Sequence, residues 1–561
     1  MSQDGSAASR GVSRRNLLKT GAASLAAVLG GTQAGIDAAA AADSAPSDRD
    51  LVLVNGKIHT MDAQSRIAAS ITIRNGRIIA LEYGGHGNQG SHGDQRVIDL
   101  KGRTVVPGII DNHNHIVLMA NRPGYHTPLE NAYSIAEVQA TLAARAAGVP
   151  KGQFITTIGG FHSNHFAEHR LPNLAELDAA LPDHPVYVSI GFSGPSTTNT
   201  RGKAFFEQKS VAVGADSSIA AGTPSGQALL ALRQALLTFE TRKRAALDAL
   251  AYGTTVGVTT HLDEGAFQAS NTPADGSAHE DNYTMHLPVL ELYREELAKV
   301  RLRINFLHME ADPALPGLLA RLQNAFPFFG SDMVRTGGIG EFIAQGTNAA
   351  SPFIEAAKRV ARAGWRAEVH SLSRTDFQDE IQGFEVANTV ADITDLRWVV
   401  AHVPFITLDY VNRLKALGGG LSLTGWRYLA GTAAGNGPPF RMIVDNGINV
   451  GMSSDGMQIA PMNPWLHMYY ATTGVNALGQ LINGGQQITR EEVLRLYTRD
   501  NGWFLREEDQ LGSLELGKLG DLVVLNSDYF TVADADLKKV RSILTVVGGN
   551  IVYDAGVLKV K

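Results

Sequence analysis

Apolar and polar positions alternate along this chain in two ways. At the start of the body, "DLVLVNGKIHTMD", "SITIRNGRIIAL" and "RVIDLKGRTVVPG" are short runs of period two, rich in Val and Ile. Asn55-Gly56 and Asn75-Gly76 stand between such runs as hairpin signals. The C-terminal end has the same texture, in "GDLVVLN" and "ILTVVGGNIVYDAG". The two ends, 50–106 and 511–561, are expected to pair into one small β-sandwich domain. Between them, apolar strand-like runs alternate with helical stretches such as "GQALLALRQALLTFETRKRAALDALAYG", the pattern of a parallel sheet. Eight strand candidates can be counted: "TVVPGIIDNH", "TTVGVTTH", "RLRINFLHM", "VRTGGIGEF", "GWRAEVH", "LRWVVAH", "GGLSLTG" and "INVGMSSD". The fold class is α/β, and eight such units over 107–510 predict a (β/α)8 TIM-type barrel. Residues at about 116–224 do not fit the count and are expected to be an insertion covering the barrel mouth.

Most of these strands carry a His, Asp or Glu at or near the C-terminal end, the end where barrels of this type hold their active sites. His113 and His115 are two apart, so on a strand both face one side and can aim at one point. His370, His402 and Asp455 come from later strand ends and can converge on the same point. The chain has no cysteine, which excludes disulfides, thiolate catalysis and sulfur-ligated zinc. A ligand set of nitrogen and oxygen suits a divalent ion, zinc first, with manganese, iron or cobalt as alternatives.

Charge and the N-terminus add the setting. The 561 residues are 44% hydrophobic with a net charge of −6; no basic block stands out beyond the N-terminus, so nucleic acid is not an implied partner. "SRRNLLK" pairs Arg14 with Arg15, and an uncharged stretch from Thr20 to Ile36 leads to the small residues before Asp43. Residues 1–42 are expected to be a signal peptide of twin-arginine type, read by the twin-arginine export machinery. Its apolar stretch is too short for a stable membrane span, and the mature protein is expected to be exported, to a periplasm or beyond the cell. Nothing in the pattern fixes an oligomer, and a homo-oligomer is left open.

The order His-x-His, His, His, Asp at barrel strand ends resembles the amidohydrolase superfamily. "TVVPGIIDNHNH" is similar to its first-strand signature. "NLAELDAALPDHPVYV", "GWRAEVHS", "GMSSDGMQIAPMNPW" and "TRDNGWFLREEDQLGSLELGKLGDLVVLN" resemble the YtcJ-like branch of metal-dependent hydrolases (amidohydrolase family 3). The resemblance covers about residues 50 to 561. It implies hydrolysis of a non-peptide C–N bond, in an amide, formamide or N-acyl compound, by metal-bound hydroxide. Asp455 would carry the proton, His370 would be a direct ligand, and His402 would hold a second ion or stabilise the oxyanion. Two departures stand out. Many relatives carry a carboxylated lysine on the fourth strand, whereas "GGIGEFIAQG" has none; Glu341 could bridge two ions instead, or there is one ion and Glu341 is structural. Relatives often carry Asp-Gly-His after "PDHPV"; here "GFSGPSTTN" puts Pro195 at the histidine.

Weaker candidates are His162, His165 and His169 in the insertion, His261 and His308 near the second and third strand ends, and Trp426 and Arg427 after the seventh. The substrate expected is a small amide-type molecule. The competing readings are a metal-dependent deaminase of a cyclic amidine or nucleobase and, less favoured, an inert exported binding protein.

Overall fold

The computed structural model describes residues 50–84, 95–266, 284–348, 350–431, 437–457 and 460–559. The leader expected over 1–42 lies outside the described residues.

The two ends of the body meet in one region. Arg77–Glu82, Ser70–Arg74, Asp50–Val54 and Gln95–Asp99 form a four-stranded sheet in that order. A six-stranded sheet runs Asn550–Asp554, Ser542–Val547, Leu522–Leu525, Thr104–Pro107, Lys57–His59, Ile67–Ala68. The chain's two ends join within it, with Val106 opposite Val523. One buried apolar cluster draws on both sheets: Leu51, Ile71 and Ile98 from the first, Ile58, Val105, Val524 and Val546 from the second. Asn75 and Gly76 make a tight hairpin turn with φ of 48° and 78°, the left-handed pair such turns need. Asn55-Gly56 does not. The strands on either side of it belong to different sheets, so the dipeptide is a corner. A Cβ on Gly56 would lie 2.4 Å from Leu100 Cδ1, so the glycine serves close approach.

The centre of the chain supplies eight parallel strands: β1 (Ile109–Asn114), β2 (Val258–Asp263), β3 (Arg301–Phe306), β4 (Val334–Ile339), β5 (Glu368–Ser371), β6 (Val399–His402), β7 (Gly420–Thr424) and β8 (Asn449–Ser453). They form two four-stranded sheets, β4-β3-β2-β1 and β5-β6-β7-β8. A parallel bridge between Ile339 and Ala367 joins β4 to β5. Across the other pair of edges, Asp455 N donates to His113 O and His115 N to Gly456 O, both at 3.0 Å. Most strand residues are buried, which is why the strands read as near-continuous apolar runs. Helices separate successive strands, among them Phe239–Thr255, Phe353–Arg362 and Arg374–Asn388. The helical stretch quoted above is two helices, Thr223–Leu236 and Phe239–Thr255. Thr238 breaks it by capping the second, its hydroxyl accepting the Thr241 N–H.

The segment after β1 folds around its own sheet, ordered Ser218–Ile219, Ser196–Thr198, Val186–Ser189, Ile155–Ile158, Tyr125–His126. Separate apolar clusters pack on it, one around Leu142, Phe166 and Val188, the other around Phe154, Tyr187 and Phe206. Among the described residues no helix is long and apolar enough to cross a membrane.

Candidate metal centre

Six side chains meet at the C-terminal ends of the parallel strands. His113 is on β1 and His115 just past it; Glu341 follows β4, His370 is on β5, His402 ends β6 and Asp455 follows β8. All but His370 are almost wholly buried, and the His370 side chain keeps 24% of its exposure. Glu341 sits in the middle. Its Oε2 is 2.9 Å from His370 Nδ1, 3.2 Å from His402 Nε2 and 3.3 Å from His113 Nε2, and its Oε1 is 3.4 Å from His115 Nε2. Asp455 closes the other side: Oδ1 is 3.2 Å from His115 Nε2, and Oδ2 is 3.9 Å from His402 Nδ1. The His402 ring lies 4.7 Å from that of His113 and 4.6 Å from that of His370.

Each position follows from the local chain. The period-two geometry of β1 sends His113 and His115 to the same side. His402 and Asp455 have φ of 71° and 53°, left-handed values that cost a non-glycine residue on the order of 1–3 kcal/mol. These turns redirect the chain just where the strands deliver their side chains. Phe342 stacks on the His370 ring with centroids 5.3 Å apart.

Burial disfavours charge at His113, but the carboxylates of Glu341 and Glu368 outweigh it and hold its pKa well above the usual value. His115 is likewise desolvated, yet Asp455 and Glu341 raise it to about 10. At His402 burial wins and the pKa falls. At Glu341 and Asp455 burial is overcome by the surrounding histidines, and both carboxyls titrate below their ordinary range. His113 and His115 on one side and Glu341 and Asp455 on the other thus shift one another toward their charged forms.

A divalent cation fits this donor set. Groups of three ligand atoms lie within 4.8 Å of one another in His113–His402–Asp455, His113–His115–Glu341 and Glu341–His370–His402. His113 Nε2 and Glu341 Oε1 are buried and make no hydrogen bond among the described residues, a state that buried polar atoms avoid unless a ligand completes them.

A supporting layer was missed in the sequence. Glu368 Oε1 is 2.7 Å from His113 Nδ1, and Arg366 pairs with the same carboxylate. Glu264, beside them, accepts from Asn305 Nδ2 at 2.7 Å, and crowding against Glu368 in a buried site raises its pKa. The signal was present: Arg366, Glu368 and His370 are two apart along the run that leads into β5, between the apolar Trp365, Ala367 and Val369.

The weaker candidates lie elsewhere. His261 Nδ1 is 2.6 Å from Asn114 Nδ2, and its other side abuts Gly253 of the flanking helix. His308 is buried beside Glu310, 3.6 Å away. His162 caps a short turn by accepting the Asn164 N–H; His165 is wedged between the rings of Tyr133 and Tyr428; His169 is exposed, with φ of 51°. The Arg427 guanidinium lies over Trp426, 4.0 Å from the ring centroid. Pro195 lines a cleft of the inserted sheet with Ser196 and Asp216.

Histidines and carboxylates gathered at the carboxyl ends of parallel strands define a metal-dependent hydrolase. The chain belongs to the Amidohydrolase family, whose match spans residues 96–553, and it is a hydrolase of carbon–nitrogen bonds other than peptide bonds. It is 23% identical over 550 residues to N-substituted formamide deformylase from Arthrobacter pascens, covering 90% of this chain and 98% of that protein. A shorter stretch of 86 residues, 15% of this chain and 13% of the relative, is 36% identical to adenine deaminase from Bacillus velezensis. Among solved structures, an uncharacterized metal-dependent hydrolase from Pyrococcus furiosus superposes with a TM-score of 0.57 at 18% identity, over 86% of this chain and 100% of that one. Atrazine chlorohydrolase from Arthrobacter aurescens TC1 complexed with zinc gives 0.51 at 16% identity, over 90% and 95%.

Proposed function

We propose that this protein hydrolyses the C–N bond of a small amide, formamide or N-acyl compound at the His113–His115–Glu341–His370–His402–Asp455 centre. The observation that carries the reading is Glu341 enclosed by four histidines, with Asp455 alongside. The likeness to N-substituted formamide deformylase supports the bond type. A divalent ion held there, zinc first, would lower the pKa of a coordinated water to about 7 and polarise the scissile carbonyl. Asp455, with Oδ1 on His115 and Oδ2 3.9 Å from His402 Nδ1, would accept the water's proton and hand it to the leaving nitrogen. His402, kept neutral by burial, holds an ion through one ring nitrogen or donates to the developing oxyanion. Glu341 reaches all four histidines, and we take it as the bridge between two ions, supplying the negative charge that a carboxylated lysine gives in other members. Elemental analysis of wild type and Glu341→Gln tests this: two ions falling to about one supports the bridge, and one ion in both removes it.

The same reading takes the two four-stranded sheets as halves of one (β/α)8 barrel, over 107–510 with the inserted sheet at its mouth. The paired sheets of 50–106 and 511–561 are taken as a β-sandwich, and the chain as a member of the YtcJ-like branch. It also takes residues 1–42 as a twin-arginine signal and the mature enzyme as exported; normal secretion after Arg14→Lys with Arg15→Lys would remove that claim.

The bond itself is tested with N-formyl, N-acyl and cyclic amide substrates on zinc- and manganese-loaded protein. Release of an acid and an amine is expected. Release of ammonia from a cyclic amidine or nucleobase, with no amide turned over, would favour the deaminase reading, which the local likeness to adenine deaminase supports.

A further inference from the structure

Among the described residues, Arg122 is a buried cation without an anion. It follows the helix Ile116–Ala120, which begins directly after His115, and it is 2% exposed. Its Nη1 lies 3.2 Å from His126 Nε2, its Nη2 donates to the carbonyl of Met457, and its Nε, equally buried, has no hydrogen-bond partner among the described residues. Phe192 lies 5.6 Å from the guanidinium carbon. No carboxylate among the described residues pairs with it, and burial alone draws its pKa down, to about 9. A guanidinium has five N–H groups, and these two contacts leave most of them unused. Other buried arginines of this protein are answered: Arg301 by Asp521 and Arg303 by Glu507, each through two nitrogens.

Its place ties it to the metal centre. Met457, whose carbonyl it holds, is two residues beyond Asp455, so their Cα atoms are at most about 7.6 Å apart. The peptide before it is fixed to the first strand, Gly456 O accepting from His115 N. Met457 also packs on Gly160, just past the Ile155–Ile158 strand of the inserted sheet, where a Cβ would lie 3.3 Å from its own. Arg122 therefore stands where the end of β1, the Asp455 loop and the inserted sheet come together.

Burying an unpaired charge is costly, and such a charge is kept where a partner arrives to complete it. The partner that fits a planar guanidinium is a carboxylate or another planar oxyanion, taken through two parallel N–H groups. We propose that Arg122 receives an anionic group of the substrate, so that the preferred substrates are N-formyl or N-acyl compounds carrying a carboxylate, such as N-acyl amino acids, over their neutral counterparts. This rests on the hydrolytic reading of the centre given above.

The test uses matched pairs on the metal-loaded, full-length enzyme: N-formyl and N-acetyl amino acids, each against its amide or methyl ester. Wild type is expected to favour the carboxylate member by about 10- to 100-fold in kcat/KM, the worth of a hydrogen-bonded charge. The ratio should fall toward one in Arg122→Met, whatever the absolute rate, and stay between the two in Arg122→Lys, which keeps the charge without the fork. The loss should fall mainly on KM. No preference in wild type, with both members hydrolysed, would overturn the proposal and leave the amide hydrolase standing; that arm needs no variant to fold. A preference that survives in Arg122→Met would also overturn it. Failure to hydrolyse any member of any pair would count against the hydrolytic reading first, and this inference with it.

Discussion

The two ends of the same parallel strands bury charge in opposite ways. At the amino end of β3, Arg301 puts Nε and Nη2 on Asp521 at 2.7 and 2.8 Å, with Nη1 on the Asp332 carbonyl. Arg303 does the same with Glu507 at 2.8 and 3.1 Å and spends Nη1 on Leu302 O. At the carboxyl ends, His113 Nε2 and Glu341 Oε1 are buried without a hydrogen bond among the described residues, and His402 and Asp455 hold left-handed backbone. Burial is alike in both places; saturation is not. A charge whose donors are all used fastens one element to another. A cluster with capacity left over is built to take something in. The same division, stability at the amino face and chemistry at the carboxyl face, is the general rule in α/β barrels.

The contrast can be broken most directly at Asp455. Asp455→Asn keeps size and some ligand capacity but cannot take a proton near neutral pH. Turnover should fall by about 10²–10⁴-fold, with thermal unfolding and ion content close to wild type. Near-normal turnover at unchanged ion content would show that another group carries the proton. The opposite end should respond in the opposite currency. Arg301→Met strands Asp521 in a buried position, and losing one partner of such a pair costs about 3–5 kcal/mol. Denaturant unfolding should register that loss while kcat and bound metal per folded molecule hold. A variant that unfolds normally but loses activity would erase the distinction between the two ends.

A smaller effect is expected between these extremes, at Glu368. Its carboxylate meets His113 Nδ1 on one side and Arg366 on the other, so that His113 Nε2 faces the cluster. Removing a carboxylate of that kind lowers metal affinity by about 10- to 100-fold. Competition against a chelator should show this for Glu368→Gln, with partial recovery in Glu368→Asp. Unchanged affinity would make Glu368 a structural partner of Arg366 and nothing more.

How much of this was legible in the sequence follows from how local each signal is. His113, His115, His402 and Asp455 stand out because each ends an apolar run, and a strand end is a local property. Glu341 stands out because a Gly-rich strand gives a carboxylate little else to do, but its central position among four histidines depends on how four chain segments, those of β1, β4, β5 and β6, converge. Glu368 and Arg366 have a visible spacing of two with His370, but in an apolar run they read as interruptions, and only the buried ring of His113 gives them a purpose. Arg122 carries no local signal at all, because what marks it is that no anion among the described residues reaches it from distant segments. Asn55-Gly56 shows the reverse error. The dipeptide is a sound turn signal, but the strands it separates go to different sheets, and sheet partnership is set by tertiary packing. The break at Thr238 was missed because the apolar pattern on either side of the cap is continuous.

The smallest effect expected is a graded one, and it follows from the raised pKa values of His113 and His115. His115 is raised to about 10 and His113 stands well above its usual value, because carboxylates outweigh the cost of burying their charge. An ion can bind an imidazole only after its proton leaves, so uptake releases protons and the apparent affinity rises with pH. The sign is fixed by the direction of the shifts. For an ordinary histidine the rise would end near its pKa of about 6.5. Here protons compete with the ion until pH approaches the raised values, so the climb continues through neutrality at roughly tenfold per unit for each proton displaced. Manganese affinity measured at intervals from about pH 6 to about pH 9 should increase throughout, with a matching release of protons into weak buffer. A plateau setting in at about pH 7 would mean that His113 and His115 are already neutral there, and that the carboxylates around Glu341 are balanced by something other than imidazolium. The saturated arginine pairs at the other end predict no such slope, since Arg301 and Arg303 keep their charge over that whole range.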